Sequence, residues 1–210
     1  SGASYAGLEF ILAAIAWSRG EPVLEPIGYD DNLGDAYDRA SLQEILALQL
    51  AQTGDVQGAA VLADAALRDY HASYGYEDDL VLFWSTAVEL ALVAGDTARV
   101  HNLFVLAAAA PRVTRTALLL SHETLYQGRL AQLEGQDPEP LLRKAIDALT
   151  AYGATFRAAQ AQLALGSWLS TQARPAEAAQ LLDDAAEVFT EARAAPGLTA
   201  VAAARDLVEA

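Results

Sequence analysis

The chain has no cysteine, no methionine and a single lysine, Lys144, against a dozen arginines. Without cysteine there are no disulfide staples and no thiolate metal sites. Such a composition fits a reducing cytoplasm, the compartment expected for this protein. Methionine is missing even at position 1, so the Ser1–Gly2 start reads as a cleavage scar and the chain as part of something longer. Long apolar runs are also missing. Phe10–Trp17 and Phe104–Pro111 are the longest, well short of the roughly 20 residues that span a bilayer. No charged segment followed by an apolar stretch opens the chain, so no signal peptide is evident. Positive charge is scarce, with a net charge of −15 at pH 7. That balance argues against gripping the phosphate backbone of a nucleic acid and against docking on an anionic membrane.

Catalytic signatures are absent as well. There is no GxxxxGK[ST] phosphate loop, no HExxH and no GxSxG. The three histidines, His71, His101 and His122, lie far apart, so no i, i+4 pair offers a zinc site. His122 beside Glu123 has no accompanying nucleophile and makes a poor general base. The acidic pairs Asp30–Asp31, Asp78–Asp79 and Asp183–Asp184 read better as helix starts or solvated faces than as cation sites. The segment is expected to be non-enzymatic, with no cofactor and no metal.

What is present is alanine, leucine and a period. Hydrophobic residues make up 53% of the 210 residues, enough for a packed interior, and alanine favours helix and close helix approach. The apolar spacing predicts helix pairs over 36–52 and 56–73, 78–94 and 97–110, 113–134 and 138–151, and 155–172 and 175–192. Residues 5–18 are apolar at nearly every position and predict a helix buried on more than one side, closed by Arg19–Gly20. Pro22 and Pro26 then disfavour a regular partner helix. This first unit is either degenerate or paired with a helix upstream. Pro196–Gly197 introduces a last helix over 198–209. The turn residues Gly54, Gly95, Gly135 and Ala173 stand 41, 40 and 38 positions apart, a spacing that marks stacked hairpins. The expected organisation is a helix and irregular linker over 1–34, four hairpins over 35–195 and a capping helix over 196–210. Strand signals are nearly absent, so the fold class is all-α.

These hairpins resemble the tetratricopeptide repeat, in which a small residue precedes a Gly-Asp turn and small residues follow it. The sets are Ala47, Gly54–Asp55, Ala59 and Ala66; Val88, Gly95–Asp96, Val100 and Ala107; Gly128, Gly135, Leu141 and Ala148; and Gly166, Ala173–Arg174, Ala178 and Ala185. The period exceeds the family's usual 34. Residues 152–209 further resemble the closing repeats of large actinobacterial-type signalling ATPases, among them LuxR-family regulators and adenylate-cyclase-associated proteins. The resemblance implies an α-α superhelix whose first helices line a concave face. Its ligand-contacting offsets fall on Ser41 and Glu44, on Ser85 and Glu89, on His122, Arg129 and Gln132, and on Gln160, Ser167 and Ser170.

The competing reading makes these residues the solvated stripe of amphipathic helices. Trp17, Trp84 and Trp168 fall in first helices and are expected to pack rather than bind. Tyr70, Tyr74 and Tyr76 are expected to staple a connector against the neighbouring hairpin. The leading expectation is a non-catalytic protein-interaction module of a signalling or transcription-regulatory protein. It would bind a partner segment or an adjacent domain of the parent chain on its concave face. The alternative is a small-molecule sensor domain. Self-association through the apolar 5–17 stretch is also expected.

Overall fold

Each hairpin turns at a residue in the left-handed region, and the chemistry of that turn is repeated. In a computed structural model that describes residues 6–24, 36–75 and 79–209, Gly54, Gly95 and Gly135 have φ of 95°, 69° and 70°. The next residue's N–H then reaches back five positions, from Asp55 to the Leu50 carbonyl at 3.0 Å, from Asp96 to Ala91 at 2.9 Å and from Gln136 to Ala131 at 2.8 Å. Carbonyls orphaned at the helix end are thereby satisfied. Ala173 keeps the same conformation at φ 55°, where a Cβ is unfavourable by about 1–2 kcal/mol. Asp55 and Asp96 do a second job at the first two turns. Their carboxylates accept from the N–H of Gly58 and Arg99, at 2.8 and 2.9 Å, and so cap the helix that follows.

The described residues form ten helices and no strand; the protein is all-α. They are α1 (Ala6–Arg19), α2 (Ala36–Gln52), α3 (Val56–Tyr74), α4 (Leu80–Val93), α5 (Thr97–Ala108), α6 (Ala117–Leu133), α7 (Glu139–Tyr152), α8 (Thr155–Thr171), α9 (Pro175–Ala192) and α10 (Ala195–Glu209). Two compact units result, one of residues 1–17 with 21–115, the other of 18–20 with 116–210.

In the first unit α2 packs on α3, α3 on α4 and α4 on α5. Buried alanines, among them Ala40 and Ala47 on α2 and Ala59, Ala63 and Ala66 on α3, let the backbones approach closely. Larger groups fill the rest. Trp84 is fully buried, and its indole N–H donates to the Leu103 carbonyl at 2.9 Å. Phe83 stacks on Tyr70 with ring centroids 4.6 Å apart and on Phe10 of α1 at 5.3 Å. Tyr74 joins this cluster through Tyr70 at 5.4 Å; Tyr76 lies outside the described residues.

Helix α1 departs from expectation. Only Ala6, Phe10 and Ala13 are buried, while Leu8, Ile11, Leu12 and Ile15 are 40–56% exposed. The buried residues are spaced four and three apart and form one narrow stripe. A uniformly apolar helix therefore has one covered side, not several.

In the second unit α6 packs on α7, α7 on α8, α8 on α9, and α10 lies against both α8 and α9. A Cβ on Gly166 would sit 2.9 Å from Leu182 carbons, and one on Gly128 would sit 2.7 Å from Leu142. Both glycines mark close helix crossings. The inward residues of α7 are Leu142, Ala145 and Leu149, whereas Leu141 and Ala148, aligned by sequence, are only half-buried. The longer third turn, Gly135–Gln136–Asp137, shifts the register. Helix α10 begins three residues earlier than expected, so Pro196 and Gly197 occupy its first turn. There Gly197 comes against the Phe189 ring.

Candidate functional site

The polar residues anticipated on the first helices are treated differently in the two units. In the first, Ser41 and Glu44 on α2 and Ser85 on α4 are buried, and Glu89 is half-buried. Among the described residues, neither carboxylate oxygen of Glu44 has a hydrogen-bond partner, and the Ser41 hydroxyl has none. Glu44 is 0% exposed. Desolvation alone pushes its carboxyl well above the ordinary range, because a charge removed from water without a counter-charge is strongly disfavoured.

Further along α2, two glutamines that sequence reasoning did not single out grip an extended segment. Val23 N–H donates to Gln52 Oε1 at 2.9 Å, Gln49 Nε2 donates to the Val23 carbonyl at 3.3 Å, and Gln52 Nε2 donates to the Glu21 carbonyl at 2.7 Å. Gln49 and Gln52 are one helical turn apart and so face the same strand of chain. Glutamines at that spacing are common on solvated helices, and nothing in the sequence marks this pair.

The second unit gathers several predicted residues around one ring. Tyr126, on α6, is fully buried. The His122 ring meets it edge-on at 6.2 Å. Arg129 Cζ lies 5.9 Å from the ring centroid, and Arg157 Cζ, from α8, lies 6.0 Å from it. Both distances fall within the range of a cation–π attraction. Arg157 Nη1 also donates to Gln160 Oε1 at 2.8 Å. Thus His122, Arg129 and Gln160 share a corner with two residues the sequence reading did not include, Tyr126 and Arg157. The signal was available, since Tyr126 follows His122 by four positions and Arg157 precedes Gln160 by three. Gln132 and Ser167 are half-buried. The Ser167 hydroxyl donates to the Leu163 carbonyl at 2.7 Å and that of Ser170 to the Gly166 carbonyl at 2.9 Å, which commits both protons to their own helix.

Salt bridges tie hairpins together away from these sites. Arg174 Nη1 contacts Glu139 Oε2 at 2.6 Å and its Nε contacts Glu177 at 2.7 Å, while Arg143 reaches both carboxylates. Hydrogen bonds from Arg174 hold Glu139 and Glu177 below the usual carboxylate range. In the first unit Asp64 takes Arg99 at 2.8 Å and Arg68 at 2.9 Å. Asp183 pairs with Arg205, and Gln180 donates to Asp184 at 2.8 Å; Asp30, Asp31 and Asp78 lie outside the described residues. No three His or carboxylate side chains gather among the described residues in a way that would hold a metal ion. No described helix is long and apolar enough to cross a membrane.

Compared with known proteins, the chain matches no family model, no curated protein and no solved structure.

Proposed function

We propose that the protein is a non-catalytic interaction module, a tetratricopeptide-like stack of hairpins that holds a carboxylate-bearing partner segment at the Tyr126 corner. One observation carries this reading. Two arginines from α6 and α8, both first helices of hairpins, stand over a single tyrosine ring, in a chain whose net charge is −15. Two cations gathered at one corner of an acidic molecule give that corner a local positive potential that attracts an anionic segment. Guanidinium groups bind carboxylates through paired N–H donors, and Gln160 orients one of them. Such a module would serve as a regulatory part of a larger cytoplasmic protein, in keeping with its resemblance to the closing repeats of LuxR-family and cyclase-type ATPases.

The same corner also suits a small anionic metabolite, the sensor reading. Calorimetric titration with an acidic peptide and thermal-shift measurement against small carboxylates and phosphates separate the two. The module reading expects peptide binding that falls at least ten-fold when Arg129 and Arg157 are both replaced by alanine, with helicity unchanged. Stabilisation by a metabolite and none by peptides would replace the module with the sensor. Peptide binding indifferent to both arginines would remove the corner from consideration.

A further inference from the structure

The stretch that closes the first unit departs from the sequence pattern. Apolar spacing places Val113–Thr116 in a helix, yet α5 ends at Ala108 and α6 begins at Ala117. Pro111 has no N–H to continue the preceding helix, and Thr116 caps the following one. Between them Pro111, Arg112, Val113 and Thr114 form a single turn. The Thr114 N–H and hydroxyl both donate to the Pro111 carbonyl, at 2.9 and 2.8 Å. Arg112 and Val113 are the two central residues, so the peptide bond joining them is the tip of the turn. Val113 is 88% exposed, and Pro111 and Arg112 are exposed with it.

The chain has 13 lysines and arginines, and the fold protects the peptide bond after most of them. Arg39, Arg68, Arg99, Arg129, Arg143, Lys144, Arg157 and Arg205 lie inside helices, where a protease must first unwind hydrogen-bonded backbone. Arg39 also leads into Ala40 and Ser41, both 0% exposed. Arg19 ends α1 with its Nε donating to the Ala192 carbonyl at 3.0 Å. The bond that follows is closed over by the Glu21 N–H, which donates to the Ala16 carbonyl at 2.9 Å. Arg174 precedes Pro175, whose nitrogen carries no hydrogen. After Arg193 comes Ala194, which is buried and whose N–H donates to the Phe189 carbonyl at 2.8 Å. Arg112 and Arg115 remain. Arg115 is half-buried and directly precedes the α6 cap, whereas Arg112 stands at the exposed tip.

We propose that the Pro111–Thr116 stretch is a site of limited proteolysis by an arginine-specific endoprotease, cut at the Arg112–Val113 bond. An enzyme of this class seats the arginine side chain in an acidic specificity pocket. Hydrolysis breaks the C–N bond: water gives a hydroxyl to the Arg112 carbonyl carbon and a proton to the Val113 nitrogen. Opening the turn costs the two Thr114 bonds to Pro111 and no rung of α5 or α6. The cut follows the division of the cores. Helices α1 to α5 stay on one product and α6 to α10 on the other, with residues 18–20 parted from their unit. Thr116 stays internal to its product and still accepts from the Leu119 N–H. Both products therefore keep their helices. The stretch lies outside the Tyr126 corner, so either reading can fail alone.

The test treats the full chain with a low proportion of trypsin and weighs the products by intact-mass spectrometry. The first pair is expected to be residues 1–112 and 113–210, a readout that depends on no variant. Far-UV circular dichroism should be unchanged when that cut is complete. Arg112→Gln should slow the first cut by about ten-fold or more, since cleavage then waits on a less populated opening, and should move it to the Arg115–Thr116 bond. Adding Arg115→Gln should end cutting within the stretch. A first cut after any other basic residue, loss of helical signal in step with cleavage, or an Arg112→Gln chain cut as fast as the unaltered one would each overturn the proposal.

Discussion

The α2–α3 hairpin of the first unit and the α8–α9 hairpin of the second share an outline and differ in how they treat polar groups. In α8–α9, Gly166 lets Leu182 in, Ser167 and Ser170 bond to their own helix, and Arg174 is matched by carboxylates. On α2, Glu44 and Ser41 are buried and find no hydrogen-bond partner among the described residues. The first arrangement is what stability alone would select. The second carries an energetic liability that packing does not explain, and buried unsatisfied groups in native proteins call for such an explanation.

The largest effect is expected where packing dominates. Leu182→Ala should destabilise the protein by about 2–5 kcal/mol, measured by urea unfolding, since Leu182 is fully buried against Gly166 and within the Phe189 cluster. A loss below 1 kcal/mol would show that the closing hairpin contributes little to the cooperative unit.

The opposite sign is expected on α2. Glu44→Leu should stabilise the chain at neutral pH by about 1–3 kcal/mol, the usual cost of a buried unsatisfied group. The folded-state pKa of Glu44 is raised, so the native state binds the proton more tightly than the unfolded chain. Its penalty therefore grows as pH rises above the ordinary carboxylate value of about 4.3. The advantage of the leucine variant should narrow as the solution is acidified toward that value. Melting temperatures of both proteins across pH 4–8 test this, and a pH-independent gap would mean that Glu44 keeps an ordinary pKa.

A smaller difference separates the turns. Ala173→Gly should stabilise the fourth turn by about 0.5–1 kcal/mol, because glycine removes the left-handed penalty at the expense of some unfolded-state entropy. The comparison is internal, as Gly54, Gly95 and Gly135 already hold that conformation. Destabilisation instead would mean that the Ala173 methyl makes a contact outweighing the strain.

The smallest effect concerns the surface network. Arg174→Ala should lower stability by less than the Ala173→Gly change raises it, because exposed ion pairs are largely screened. Glu139 and Glu177 have depressed pKa values, so their contribution is present above the ordinary carboxylate range and lost as pH falls through the folded value. That slope is opposite to the one from Glu44. Acid titration of the arginine variant should consequently be flatter than that of the parent; identical curves would remove the network from the stability of the second unit.

Much of the secondary structure was legible because its signals are local. Helices α2 and α9 begin and end at the residues the sequence indicates, bounded by Gly-Asp and Pro signals that act within a few positions. Helix α6 starts at Ala117 rather than near Val113, since Thr116 caps it, accepting from the Leu119 N–H at 3.2 Å. The polar rows were located by offset from the turns, but their burial was not readable. Helical spacing says which residues share a face; it does not say whether another element covers that face. Arg157 and Tyr126 were missed for a related reason, because their meeting depends on how α6 and α8 approach.

By itself, then, the sequence determined an all-α chain of hairpins, their turns and the scarcity of cations. These follow from backbone dihedral preference, helical period and composition. Only the tertiary structure decided that Glu44 is buried with no hydrogen-bond partner among the described residues, that Gln49 and Gln52 hold the chain's own backbone, and that two of twelve arginines converge on Tyr126. Such facts arise from contacts between residues distant in sequence, where packing and desolvation act and local pattern is silent.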